Sequence, residues 1–234
     1  MIVCHRIFRR LSISKMTLDK SMFSNQSIDI IPFEPRFQNE VEQLFRDGLS
    51  PKTYDKGPTV AGSQSWFVSS KLSKEGNGDM FDISKSYMTS DNENDPSSNV
   101  KHFWVAYDNT KDVVVGHVGL IMSTYKKEDA YIYQTPDLSP LNVCELVRMG
   151  VHTDYRGMGI GKRLCERLEK YAFEKGMKQI VLSTLEKMEL ARRMYEKYGF
   201  KLVHKTKIPI SDLLGPGDWE ELYVVHYVKC VQRY

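Results

Sequence analysis

The run Arg156-Gly157-Met158-Gly159-Ile160-Gly161-Lys162 sets three glycines at alternate positions between two cations, and no other part of the chain restricts its fold as much. Before it, residues 143–151 (VCELVRMGV) read as an apolar strand; after it, the residues up to Gly176 read as a helix that this glycine stops. Glycines let consecutive backbone N–H groups turn toward one point without interference from Cβ, and a helix opening there adds the positive end of its dipole. Strand, turn and helix together form an anion cradle, so the expected ligand carries phosphates. A purely structural turn would leave the alternate glycines beside Arg156 and Lys162 without a purpose.

Spacing excludes the two common nucleotide fingerprints. After Gly157 and Gly159 a dinucleotide turn requires a third glycine where Lys162 stands. A P-loop requires Ser or Thr after Gly161-Lys162, which is Arg163 here, and a glycine where Arg156 stands. The chain instead carries R-x-x-G-x-G with Val151 five residues ahead of Arg156, and downstream a second motif, Ala191-Arg-Arg-Met-Tyr195-Glu-Lys-Tyr-Gly199-Phe200.

These two ordered motifs resemble the R-x-x-G-x-G/A and A-x-x-x-Y-x-x-x-G-F of the GCN5-related N-acetyltransferase (GNAT) superfamily. Residues 143–203 carry the recognisable motifs, and within them the sequence is similar to the camello-like branch of small animal acetyltransferases. The resemblance implies an α/β fold of GNAT type: a mixed, mostly antiparallel sheet with one splayed parallel strand pair, flanked by helices. It implies acetyl-CoA as co-substrate and no metal. Backbone groups of Met149, Gly150 and Val151 are then expected to pair with pantetheine, and Arg156, Gly157, Met158, Gly159, Ile160, Gly161 and Lys162 to hold the diphosphate.

Composition agrees with such a domain and excludes others. The 234 residues suffice for one well-filled α/β domain plus an extension, expected as residues 27–234 and 1–26. Apolar content is 41% and charged content 27%, and no apolar run approaches the ~20 residues of a membrane span. Of the net charge of +3, residues 1–26 carry +4 (Arg6, Arg9, Arg10, Lys15 and Lys20 against Asp19), which leaves −1 for the rest. A near-neutral folded part lacks the surplus basic face of a nucleic-acid binder. Cys4, Cys144, Cys165 and Cys230 form no C-x-x-C pair, so reduced thiols in an intracellular protein are expected rather than a metal site. Residues 1–26 have no acid before Asp19 and alternate Arg and Ser with Ile, Phe and Leu, which suits a basic tail on a cytoplasmic protein, an upstream start preceding Met16 or Met22, or a mitochondrial presequence. Monomer and homodimer are equally compatible with these features.

Along the chain, residues 27–33 (SIDIIPF) read as a first strand, and Phe37, Val41, Leu44 and Phe45 give the following helix an apolar side. Residues 50–99 are a polar insertion with apolar clusters at Trp66-Phe67-Val68 and Met80-Phe81-Asp82-Ile83, read as one or two short helices, either solvated or shaping specificity. Residues 101–107 and 113–125 form a strand pair in which Gly116 and Gly119 suggest a bend or bulge, with Tyr131-Ile132-Tyr133 either prolonging its last strand or adding a short one. In the strand at 143–151, period 2 sets Glu145, Val147, Met149 and Val151 on one face and Cys144, Leu146, Arg148 and His152 on the other. Its helix presents Ile160, Leu164, Leu168 and Ala172 in one stripe, with Glu166 and Lys170 paired outside. Residues 178–183 read as a strand, Thr184 as the N-cap of a helix bearing Met188, Ala191, Tyr195 and Tyr198, and residues 200–207 and 221–229 as the last two strands. By the resemblance, the loops after the first helix and at residues 209–219 border the acceptor.

Amide formation from a thioester needs a neutral amine and a proton for the leaving thiolate. An ε-amine of pKa about 10.4 or an α-amine of about 7.7–8.0 is mostly ammonium at neutral pH, so a base is required. Glu145, six residues before Val151, stands where the resembled histone-acetylating members place theirs; a glutamate paired with Arg148 or a neighbouring strand is the bland alternative. Tyr195 matches the family tyrosine that serves the CoA sulfur as general acid. Ser183 stands twelve residues before it, where the ribosomal-protein branch has its base, and Met188 replaces a common pantetheine-binding Asn. His152 is assigned no role. Three functions remain open: acetyl transfer to a small primary amine in a ternary complex, an acyl-CoA-binding protein with little transfer, and acetylation of protein lysines or N-termini.

Overall fold

The computed structural model describes residues 27–49, 58–88, 100–125, 132 and 139–231. The basic extension, residues 50–57 and 89–99 of the polar insertion, and Tyr131 and Tyr133 lie outside the described residues. Seven strands form one sheet in the order β1 (Ile28–Pro32), β2 (His102–Asp108), β3 (Val113–Met122), β4 (Val143–Val151), β5 (Gln179–Leu185), β7 (Tyr223–Cys230), β6 (Lys201–Lys207). Every neighbouring pair is antiparallel except β4 with β5. The expected mixed sheet with one parallel pair is the sheet observed.

Helices cover both faces because their apolar stripes match the pleat. On one face α3 (Ile160–Glu174) lays down Ile160, Leu164, Leu168 and Ala172, none more than 1% exposed, against Trp104, Leu120 and Leu146. Full burial of such Leu and Ile side chains stabilises by about 1.5–3 kcal/mol each. Tyr195 of α4 (Glu189–Lys197) joins the same cluster. On the other face α1 (Gln38–Gly48) buries Val41, Leu44 and Phe45 against Phe103, Val105 and Tyr107. Gly176 (φ 75°) and Gly199 (φ 97°) close α3 and α4 in left-handed conformations.

The polar insertion belongs to the core. It contains α2 (Pro58–Lys71), longer than the short helices expected, and a π-turn at Ser84–Met88. Met80, Ile83 and Tyr87 are buried in the α1 face, and Val60 packs beneath α5 (Ile210–Leu214) with Ile210 and Leu222. Two local expectations fail. Thr184 lies within β5 and its hydroxyl faces Met188 Sδ at 3.6 Å, so α4 starts at Glu189 with no side-chain cap. Glu166 pairs with Lys162 at 3.3 Å rather than with Lys170, because Lys162 lies one turn back on the same exposed stripe.

The period-2 reading of β4 also fails beyond Val147. Between Val147 (opposite Gly119) and Gly150 (opposite His117) β4 uses three steps where β3 uses two. This bulge centres on Arg148, a non-glycine residue at φ 52°. It reverses the alternation: Val147 packs on the α1 face, whereas Met149 and Val151 pack on the α3 face. Glu145 therefore shares a face with Val147 and not with Met149 and Val151. Arg148 projects to the α1 face, where Nε and Nη2 donate to Asp79 at 2.8 and 3.1 Å and the guanidinium lies over the Phe67 ring at 5.1 Å. The Tyr87 hydroxyl donates to the same carboxylate. Burial pushes Asp79 up, but Arg148 outweighs it and holds the carboxyl below its ordinary range.

A left-handed arginine is costly, and the Asp79 pair holds it in place. Removing one partner leaves a desolvated charge, so Asp79→Ala is expected to lower stability by about 2–4 kcal/mol, below the full range for a buried pair because both side chains keep some water contact. Urea unfolding of the two proteins checks this; a loss under about 0.5 kcal/mol would show that the pair does not restrain the bulge.

Candidate active site

The β4–β5 ladder stops at Glu145–Val181, whereas β5 continues to pair with β7 as far as Leu185. The strands part beyond that point, and a cleft of about 1170 Å³ runs through the opening. Its walls include Met149–Val151 of β4, Ser183–Leu185 of β5, the glycine turn, and α1, α2 and α4. A parallel pair that diverges leaves backbone groups of both strands facing the gap, and these suit a ligand that itself carries amides.

The glycine turn closes one end. Gly157 (φ 82°) and Gly159 (φ 78°) adopt left-handed conformations, and Gly159 is the N-cap of α3. A Cβ at either would meet nothing within 4 Å, so the requirement for glycine is conformational and not steric. The first turn of α3 contains no acidic residue, and its leading N–H groups lack intrahelical partners. Arg156 and Lys162 border the same space. His152 caps the 3-10 turn at Thr153–Tyr155 by accepting from Asp154 N at 3.3 Å, in keeping with the absence of a role read from sequence.

Glu145 and Tyr195 both line this cleft but enter it from opposite faces of the sheet. Glu145, 9% exposed, accepts from Thr124 Oγ1 at 3.3 Å. Burial raises its carboxyl above the ordinary range, while the Thr124 hydrogen bonds and the charge of Arg148 oppose the rise. Of the two bland alternatives, an Arg148 partner is not what is seen, since Asp79 takes that guanidinium, whereas the Thr124 hydrogen bond does tie Glu145 to the residues that follow the neighbouring strand β3. Tyr195 is buried among Phe200, edge-on at 5.8 Å, and Tyr227 at 6.4 Å.

Sequence reasoning missed two residues of the cleft. His117 is fully buried, stacks on Phe103 at 5.8 Å, and lies so close to Gly150 across the ladder that a Cβ there would sit 2.7 Å from Nε2. Among the described residues neither ring nitrogen has a hydrogen-bond partner. Gln64 of α2, 2% exposed, is in the same condition at both carboxamide atoms. No signal distinguished His117 in an apolar strand or Gln64 in a polar helix; both emerge only from burial without a partner. Cys144 and Cys165 are buried free thiols, the latter pushed up to about 12 by burial. Among the described residues no His, Cys, Asp and Glu group is arranged to hold a metal, and no helix is long and apolar enough to cross a membrane.

Burial depresses His117 to a pKa of about 4, aided by the Arg148 charge and opposed by the Arg148 backbone, which lies near the ring without hydrogen-bond geometry. Its ordinary value is 6.5, so the unfolded chain binds the extra proton between those limits. Stability contributed by neutral His117 is complete above pH 6.5 and falls by about 3 kcal/mol as the pH drops to 4. Urea midpoints across that window are expected to flatten in His117→Leu; an unchanged slope would remove His117 as its source.

Comparison with known proteins gives one consistent result. A family model described as "Acetyltransferase (GNAT) family" matches residues 68–200, more than half of the chain. The chain is 35% identical over 132 residues to "Probable N-acetyltransferase camello" of Xenopus tropicalis, covering 56% of this chain and 48% of that protein. It is also 35% identical over 126 residues to "N-acetylaspartate synthetase" of the same species, covering 53% and 37%. The chain thus spans about half or less of the length of these relatives. In fold it is similar to a GNAT-family acetyltransferase of Staphylococcus aureus Mu50 (TM-score 0.54, 20% identity, 88% of this chain and 99% of that one). A second likeness is to yncA of Salmonella typhimurium, solved with its cofactor acetyl-CoA (TM-score 0.53, 13% identity, 89% and 96%).

Proposed function

Since this chain belongs to the GNAT family of acetyltransferases, we propose that it transfers an acetyl group from acetyl-CoA to a primary amine by direct attack within a ternary complex. The observation that carries this reading is the parting of β4 from β5 directly before a left-handed glycine turn. Together they supply unpaired strand edges for an amide-bearing arm and backbone N–H groups for its diphosphate. The Salmonella protein solved with acetyl-CoA supports that choice of co-substrate.

In this reading Met149, Gly150 and Val151 pair with pantetheine, and Arg156 through Lys162 hold the diphosphate. The acceptor enters from the α1 and α2 face, where Glu145 takes its ammonium proton, directly or through a water. The free nitrogen attacks the thioester carbonyl carbon, the C–S bond breaks, and Tyr195, on the α3 face, protonates the departing thiolate. A second proton leaves the new amide nitrogen for solvent. The raised carboxyl of Glu145 suits a base working near neutrality.

Two measurements test the reading. Calorimetric titration of acetyl-CoA is expected to show a loss of about tenfold or more for Gly159→Ala, whose φ is left-handed, and a smaller change for Gly161→Ala, whose Cβ meets only Met149 and Met194 at ordinary contact distance. Equal affinity in wild type and a folded Gly159→Ala would remove the cradle from the binding site. For Glu145→Gln we expect kcat to fall about 100-fold near pH 7 and to recover in part at high pH, where free amine is abundant. In the wild type, activity should decline as the pH drops through the raised carboxyl value, since only the ionised form accepts a proton. A Gln variant with wild-type rate, or with a deficit constant to about pH 9.5, would leave Glu145 structural.

A further inference from the structure

The acceptor end of the cleft is aromatic on one side, and no uncommitted cation lines it among the described residues; Lys71, outside the lining, holds its Nζ over the Phe67 ring at 5.6 Å. Phe45 and Phe67 approach at 6.2 Å, His117 adds a ring 6.2 Å from Phe45, and Trp66, 46% exposed, stands at the rim. Arg148 is present, but its charge is committed to Asp79 in a two-point pair. The other cations lining the cleft, Arg156, Lys162, Arg193 and Lys197, belong to the glycine turn, α3 and α4 on the opposite face. The carboxylate lining this end is Glu145, which repels an acidic acceptor. One turn from Phe67 on α2, the buried carboxamide of Gln64 offers a donor and an acceptor that no protein atom uses.

We propose that the acceptor is a primary amine bearing an uncharged aromatic group with a hydrogen-bonding substituent. The ring lies among Phe45, Phe67 and Trp66, the substituent meets Gln64, and the amine is directed at Glu145. A buried amide left without a partner penalises an acceptor that brings nothing to bond with it, so Gln64 acts as a specificity residue. An acidic acceptor, as in the name of the synthetase relative, would find aromatic carbon and a carboxylate where it needs a cation. The inference rests on the acetyltransferase reading and narrows it.

The test measures CoA release by the full chain at saturating acetyl-CoA with tyramine, 2-phenylethylamine, n-propylamine and L-aspartate, alongside calorimetry of acetyl-CoA alone. The expected order of kcat/KM is tyramine, 2-phenylethylamine, n-propylamine, L-aspartate, with the aromatic amines about tenfold or more above the last two. Gln64→Leu is expected to abolish the advantage of tyramine over 2-phenylethylamine, and Trp66→Ala, at an exposed position that the fold tolerates, to raise KM for both aromatic amines. Aspartate as the best substrate, no transfer to any of the four, or a selectivity untouched by both variants would overturn the acceptor assignment while acetyl-CoA binding kept the transferase reading intact. Failure of the wild type to bind acetyl-CoA would overturn both.

Discussion

The cleft depends on one local event, the separation of two parallel strands after a three-residue ladder. β4 and β5 are joined only through Val143, Cys144 and Glu145. β5 keeps an unbroken register with β7 over its whole length, whereas the β3–β4 ladder is shifted at the bulge on Arg148, so the irregularity lies on β4. An extra residue on one strand increases local twist and bends it away from a straight partner. The glycine turn and α3 follow directly on that bent strand, and so the direction of α3's N-terminus is set by the same bend.

This geometry places the two proposed acid–base residues on opposite sheet faces. Glu145 approaches the gap from the α1 side and Tyr195 from the α3 side, so the residues proposed as proton acceptor and proton donor are separated by the plane of the sheet. Their environments differ accordingly. Glu145 is desolvated and raised, which suits acceptance of a proton from an ammonium group. Tyr195 is packed among aromatic rings on α4, whose last turn is fixed by Gly199. Cations gather at the glycine turn, and aromatic side chains at the other end, so charge and apolar surface are sorted along the path that a thioester and an amine would occupy.

Elements governed by local pattern were legible in the sequence. Strand β4 has the expected limits, and the α3 stripe from Ile160 to Ala172 is the one its periodicity marks. Features governed by tertiary contact were not. No glycine or asparagine announces the left-handed residue at 148, and an arginine is stable there because Asp79, 69 residues earlier, fixes its side chain. The period-2 assignment of Glu145 to the Met149 face therefore failed at the one residue that alternation cannot see. Helix α2 was obscured for a related reason: Ser63 and Gln64 occupy its buried side, so hydrophobic periodicity gives no direction.

The polar insertion then acquires a role that its composition conceals. A buried ion pair rarely exceeds an apolar replacement in stability, and its better-attested use is to select one geometry among several. Asp79–Arg148 fits that description: it holds a backbone conformation that an unrestrained strand would avoid, and the conformation turns Met149 and Val151 toward the α3 face while leaving Glu145 on the other. Met80, Ile83 and Tyr87 fasten the segment carrying Asp79 into the α1 core, so the carboxylate does not follow solvent. The glycine turn and the segment carrying Asp79 are thus mechanically joined through Arg148. Variation in the insertion would alter one wall of the cleft and, through the same residue, the bend of β4.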